Sequence, residues 1–263
     1  MQRRAVLLSL LAAACAPRRL VYPPPPDALR LGWRFVPGWR LLYDLHVEHE
    51  LGGVVRRRIE RWAYQVVARD RGVATLHGHL VGLGADERPE QLSEEALQRM
   101  LSVQRGQGGA VVLRLGVDGR LRPQPGLDCT AVGDAGRECF GAQVGHRLLA
   151  LPLPPDPVQH GASWRDADLG APFAPLLPPG LDIAADGRCA VADIYADPDG
   201  APRVDLRSTL LLRAQGGLAL RAEGIATWDP LAGALQRRTL RARLGGGLGP
   251  PAGALTLTLT RRS

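Results

Sequence analysis

Three cysteines in the body of the chain could form a disulfide. Cys129 and Cys139 bracket the segment CTAVGDAGREC, which is rich in Gly and Asp, and Cys189 follows later. In an oxidising compartment a disulfide is expected before a reactive thiol. The short loop brings its ends together with little strain, so the sequence predicts a Cys129–Cys139 bridge and leaves Cys189 over. Pairing of either cysteine with Cys189 remains open.

Other residues that could bind a metal or act in catalysis are not spaced as such a site requires. His77 and His79 share one side of a predicted strand and His46 lies on another strand, but no third and fourth zinc ligand follows from the pattern. The text GASWR around Ser163 begins like a nucleophile elbow and then carries an arginine where the last glycine belongs. Walker and dinucleotide motifs are absent from the sequence. We therefore expect no catalytic residue, no metal site, no cofactor and no enzymatic activity.

The first fifteen residues predict export and lipidation. Two arginines precede an apolar stretch of ten residues that ends in small residues before Cys15, as in a secretory signal, and the stretch is too short to span a bilayer. The text LAAAC resembles a bacterial lipobox, which implies a signal peptide over 1–14 and an acyl anchor on Cys15. Ala16 in place of aspartate implies the outer membrane, with the protein facing the periplasm. The alternative is a secreted protein with a cysteine near its cleavage site.

The basic charge does not indicate nucleic-acid binding. The formal net charge is +7, and the chain has no lysine and no asparagine, so all 33 basic residues are arginine. Such a bias is typical of GC-rich coding. The arginines are scattered among Asp and Glu, except for RRRIER at Arg56–Arg61. We read that cluster as a solvated face, with a membrane-facing role more plausible than nucleic acid.

Composition and periodicity predict one β-rich domain over 39–263, behind a proline-rich tether over 15–38. The 45% apolar content is ample for a core. Leu41, Tyr43, Leu45 and Val47 alternate with polar residues, as in a strand with one buried face. One helix is predicted over 89–103, where apolar residues recur at helical spacing.

The C-terminal third predicts a four-stranded antiparallel meander. Apolar and polar residues alternate through VDLRSTLLLR and LALRAEGIATWD, and turn residues separate these runs. The later runs ALQRRTLRARLG and ALTLTLTRR continue the pattern. Side chains two apart on a strand share a face. The candidate cavity-lining residues on the apolar face are therefore Leu206, Leu210, Leu220, Ala222 and Leu240.

With its lipobox and proline tether, the chain resembles bacterial envelope lipoproteins of the LolA/LppX-like half-barrel type. The matching pieces are PVQHGASW (Pro157 to Trp164), VDGRL (Val117 to Leu121) and WDPLAGAL (Trp228 to Leu235). The resemblance implies a curved antiparallel sheet wrapped around one or two short helices on its apolar face, with a cavity for acyl chains. It implies a lipid or lipophile carrier. The second hypothesis is an anchored structural or assembly protein that binds another envelope protein.

We predict that Cys15→Ala abolishes membrane association and leaves the domain folded, because the predicted core begins beyond the tether. Fractionation after a high-salt wash, with circular dichroism of the released protein, measures both effects. Cys189→Ala is the matched control and should stay with the membranes. A Cys15→Ala protein that remains in the membrane fraction contradicts the lipoprotein interpretation.

Overall fold

The computed structural model describes residues 28–51, 54–84, 110–122, 147–176, 183–214, 218–246 and 253–262. Almost all of the regular structure in these ranges is β-strand. The strands are β1 (Arg40–Leu51), β2 (Val54–Asp70), β3 (Val73–Gly84), β4 (Ala110–Gly116), β5 (Ser163–Arg165), β6 (Ile183–Ala196), β7 (Pro202–Ala214), β8 (Leu218–Asp229), β9 (Ala234–Gly246) and β10 (Gly253–Arg262). A 3-10 helix spans Ala167–Leu176.

The ten strands form one open antiparallel sheet. Their order is β4-β3-β2-β1-β10-β9-β8-β7-β6-β5, so β4 and β5 are the two edges. The chain builds the sheet from two meanders, and β1 joins them by pairing with β10 along its length. The predicted mainly β class and large antiparallel sheet are confirmed, and so is the C-terminal meander, which forms β7 to β10.

Alternation places the apolar side chains on one face of the sheet, here called the inner face. Leu41, Tyr43 and Leu45 are buried there, as their spacing predicts. The outer face carries the charged and Thr-rich positions, including Arg207, Glu223 and Arg241. Because the described residues contain no second sheet, the inner face needs another cover.

Three non-sheet segments cover the inner face: residues 28–36, residues 147–158 and the 3-10 helix. We call them the cover. They bury large apolar side chains, each of which stabilises the fold by about 1.5 to 3 kcal/mol when fully buried. These side chains are Leu31, Trp33, Phe35, Leu148, Leu149, Leu151, Leu153, Val158, Leu169 and Phe173. Backbone pairing between Leu29 and Val158 joins the first two segments.

This packing corrects the predicted tether over 15–38. Trp33 is stacked on Phe35, with ring centroids 5.4 Å apart, and meets Trp228 edge-on at 5.1 Å. The backbone N–H groups of Trp33 and Arg34 donate to the carbonyls of Val117 and Gly233. Residues 28–38 are thus part of the folded domain, which begins before residue 39, and the described part of the predicted tether is not a spacer.

Ion pairs connect the two edges of the open sheet. Arg120, in the turn after β4, contacts Asp166 directly after β5, and its Nε lies 3.1 Å from Asp168 Oδ2. In the same turn Arg122 pairs with Asp118 at 2.7 Å. The sheet therefore curves far enough to bring its edge strands together without pairing their backbones.

Several predicted features lie outside the described residues. They are the signal peptide, Cys15, the predicted helix over 89–103 and the Cys129–Cys139 bridge. The described helix at 167–176 is a different segment. Within the described ranges, no helix has the length and apolar character needed to cross a membrane.

The tight turn after β4 leads to a stability prediction. Gly119 has φ +74°, and a Cβ there would lie 1.8 Å from the Leu151 carbonyl oxygen of the cover. Gly161 has φ +79° with nothing within 4 Å of its Cβ position, so it is the matched control. We expect Gly161→Ala to cost about 1 kcal/mol from backbone strain. Gly119→Ala should cost about 1 to 3 kcal/mol more, because of overpacking.

Urea denaturation of both variants measures the difference. Equal losses of stability would show that the turn does not press against residue 151, and would contradict the close fit of the cover on β4.

Candidate functional site: the enclosed face of the sheet

The five predicted cavity-lining residues lie together on the inner face. Register places Leu210 opposite Ala222, Gly224 opposite Leu240, and Leu206 opposite Ala226. All five predicted side chains are at least nine-tenths buried: Leu206, Leu210, Leu220, Ala222 and Leu240. Their burial and their common face follow from the structure, whereas their predicted contact with a ligand remains a prediction.

Small side chains occupy the centre of this face. Ala222 lies directly opposite Ala242, and Gly224 follows two residues along β8. A Cβ on Gly224 would lie 2.4 Å from both Leu240 Cδ2 and Ser208 Oγ. These two side chains therefore lie across the glycine. At Ala222, Gly224 and Ala242 the inward side chains are small, while Leu220, Trp228 and Leu240 are larger inward neighbours on the same two strands.

The 3-10 helix packs beside these small side chains. A Cβ on Gly170 would touch Leu212 Cδ2 at 3.0 Å and Leu210 Cδ1 at 3.7 Å. Leu169 and Phe173 bury their side chains from the same helix. The helix covers the β7 side of the inner face.

One buried cation stands in the apolar face. Arg238 on β9 is 1% exposed, and its Nη1 donates to the carbonyls of Leu148 and Ala150 in the cover. Its Nε and Nη2 are buried and have no hydrogen-bond partner. Burial lowers the pKa of Arg238 to about 10, so the guanidinium is charged at neutral pH. None of the described carboxylates forms an ion pair with it.

A second fully buried charge within the sheet, on Glu60, is compensated. Glu60 on β2 is fully buried, and Arg58 Nη2 lies 2.8 Å from its Oε1. The indole N–H of Trp62 donates to Glu60 Oε2 at 2.8 Å. A buried carboxylate with a cation and an indole donor meets the usual requirement for burying charge. Arg238 differs because none of the described residues supplies a counter-charge to its guanidinium.

Two buried indole N–H groups lie near the same part of the core. Trp228 is two residues from Ala226, which pairs directly with Arg238, and its ring contacts that of Trp33. The Nε1 atoms of both tryptophans are buried without a hydrogen-bond partner. Native proteins satisfy most buried donors, so this concentration of unsatisfied donors is unusual.

Cys189 lies on the inner face of β6 as a free, fully buried thiol. Burial raises the pKa of Cys189 to about 12, although the charge of Arg238 and the backbone N–H of Ala190 act to lower it. A thiol with so high a pKa is a poor nucleophile at neutral pH. Cys189 is therefore part of the packing and not a reactive centre.

The arginine cluster at 56–61 is largely engaged in ion pairs. Arg57 pairs with Glu48 at 2.7 Å, and Arg61 with Asp44 at 2.8 Å. Burial acts to raise the pKa of Asp44, but hydrogen bonds from Arg61 and Arg262 outweigh it and hold that pKa below its usual range. These pairs link β2 and β10 to β1. The structure thus gives the cluster a role within the sheet.

The histidines singled out in the sequence do not come together. His79 pairs across β2 with Ala63, which pairs with Leu42 on β1. His46 lies four residues beyond Leu42, which places it about 16 Å from His79 by strand spacing and rise. No group of three or more potential metal ligands lies together among the residues that the structure describes.

Sequence reasoning missed Arg238, although a signal was present. The alternation that places Leu240 on the inner face also places residue 238 there, two positions earlier. The motif QRRTLR contains adjacent arginines, so one of them must face inward if the strand is regular. An arginine at an inward position of a strand is a candidate binding residue.

Comparison with known proteins identifies no family. No family model matches the chain, and no curated protein matches its sequence. Among solved structures, a lipovitellin chain is 11% identical with a TM-score of 0.46, over 88% of this chain and 26% of that chain. This protein thus spans about a quarter of the lipovitellin chain.

Two further structures match with lower scores. DynF, from the dynemicin biosynthesis pathway of Micromonospora chersina, is 11% identical over 92% of this chain and 86% of that chain, with a TM-score of 0.22. An outer membrane channel from Pseudomonas putida F1 is 9% identical over 88% of this chain and 97% of that chain, with a TM-score of 0.18.

The burial of Cys189 predicts its reactivity. In the native protein at pH 7.5, Cys189 should resist alkylation by iodoacetamide, and it should react fully after unfolding in guanidinium chloride. Peptide mapping under non-reducing conditions measures this, and the same map tests the expected Cys129–Cys139 bridge. Rapid native labelling of Cys189, or its recovery in a disulfide, would contradict the buried free thiol.

Proposed function

We propose that the protein is an envelope lipoprotein, anchored through Cys15, that binds an acyl chain or similar lipophile against the inner face of its sheet. The observation that carries this proposal is the group of small inward side chains on β8 and β9. Ala222, Gly224, Ala226 and Ala242 occupy neighbouring positions there, on the face of the sheet that the cover packs against.

The physical basis for binding is burial of methylene groups. Each buried CH₂ contributes about 0.8 kcal/mol, so an acyl chain laid along a few strand positions gains useful affinity. On β8 the inward side chains of Leu220, Ala222, Ala226 and Trp228 are apolar and buried, and so are those of Leu240 and Ala242 on β9. Membrane anchoring would hold such a protein close to a source of lipid.

Ala222→Trp tests the proposal. The larger side chain should fill space that a ligand uses, so the variant should fold with a nearly unchanged melting temperature and lose bound lipid. In a close-packed core the same change overpacks and costs about 1 to 3 kcal/mol or more. Ala219→Trp is the matched control, because Ala219 lies on the outer face of the same strand and is half-exposed.

The measurement is mass spectrometry of lipid extracted from the three full-length proteins, purified identically. Lipid associated with the anchor appears equally in all of them, so only loss specific to Ala222→Trp reports the inner face. A strong fall in melting temperature for Ala222→Trp, with equal lipid in all three proteins, contradicts the carrier. An anchored assembly protein would then be the better hypothesis.

A further inference from the structure

One edge of the Arg238 guanidinium has no hydrogen-bond partner, and this indicates the class of ligand. Its Nη1 donates hydrogen bonds to two carbonyls of the cover, while Nε and Nη2 are buried and have no hydrogen-bond acceptor. These two nitrogens lie on the same edge of the planar guanidinium. Their parallel N–H bonds match the two oxygens of a carboxylate in the bidentate arrangement common for arginine.

We propose that Arg238 binds the carboxylate of an acyl-chain ligand, so that the protein takes an amphipathic monoanion such as a fatty acid. This inference rests on the proposed function and adds the identity of the head group. The ligand's carboxylate accepts from Nε and Nη2, and its chain lies along the inner face.

The energetic argument is that a buried charge needs a counter-charge. Taking an ion out of water costs several kcal/mol, which is recovered only with a well-placed partner and satisfied hydrogen bonds. Glu60 pairs with Arg58 and accepts a hydrogen bond from Trp62, whereas none of the described carboxylates pairs with Arg238. One guanidinium neutralises one negative charge, so a monoanion leaves the apolar face neutral, whereas a doubly charged phosphate does not.

The position of Arg238 also fits an amphiphile. Leu240 and Ala242 follow it on the same face of β9, and Ala242 lies opposite Ala222. The distance from residue 238 to residue 242 along the strand is about 13 Å. A carboxylate at Arg238 would therefore place an acyl chain along β9, past Leu240 and toward the small side chains of Ala222 and Ala242.

The test compares three probes on the full-length protein in phosphatidylcholine nanodiscs, with empty nanodiscs to subtract bilayer partition. The probes are dodecanoate labelled with ¹³C at the carboxyl, its methyl ester and acetate. We expect dodecanoate to bind about 10- to 100-fold more tightly than the ester, from the charged hydrogen bonds. The ¹³C titration of the bound acid should give a pKa below that of the free acid.

Two variants separate binding from packing. Arg238→Met removes the charge and should abolish the preference for acid over ester, with the bound acid's pKa no longer lowered. Arg238→Lys keeps the charge and can still donate to Leu148 and Ala150, but it lacks the two-nitrogen edge. It should fold as the wild type does and retain only part of the preference. Ala219→Trp, on the outer face, should leave the preference unchanged.

Each other outcome overturns the inference. Equal binding of acid and ester to the wild type would exclude the anion site and leave a carrier of neutral lipophiles. Acetate binding as tightly as dodecanoate would show a site for a small anion only. Failure of every probe to bind would overturn the proposed function together with the inference.

Discussion

The structure depends on covering one apolar face of a ten-stranded open sheet. A sheet with alternating strands buries half of its side chains only if something packs on that side. The described residues contain no second sheet, so two extended segments and one short helix pack on the apolar face instead. In that packing the rings of Trp33, Phe35 and Trp228 contact one another. The free energy of unfolding therefore depends on how tightly the cover packs against the inner face.

Arg238 connects the cover to the middle of the sheet. Its Nη1 holds two carbonyls of the 147–158 segment, which has no strand partner in the sheet there. Leucine at this position would leave those carbonyls without their donor, and burying an unsatisfied polar group costs about 1 to 3 kcal/mol. Yet two carbonyls need only one guanidinium nitrogen. The hydrogen bonds that hold the cover explain why Nη1 is needed. They give Nε and Nη2 no structural role.

Periodicity predicted the sheet well and the cover poorly. The strands β7 and β8 could be predicted from the alternation of apolar and polar residues, because a sheet with one buried face requires an apolar side chain at about every second position. Residues 28–36 and 147–158 bury their side chains through long-range contacts, such as Trp33 with Trp228, that no local period records. The prolines within residues 147–158, and the run PPPP that precedes residue 28, favour extended chain. Extended chain is compatible both with a tether and with a segment packed across a sheet. Only the tertiary structure separates the two.

The same reasoning explains why inward polar residues carry more information here than apolar ones. A single leucine or alanine on the inner face fits both a filled core and a ligand-binding face, so Leu206 or Ala222 taken alone does not distinguish the carrier from an assembly protein. A buried guanidinium favours the carrier that we propose, because its charge has a cost that packing alone does not offset. At Glu60 the fold provides the compensating cation itself. At Arg238 no described carboxylate provides the negative charge, and we propose that a bound anion does so.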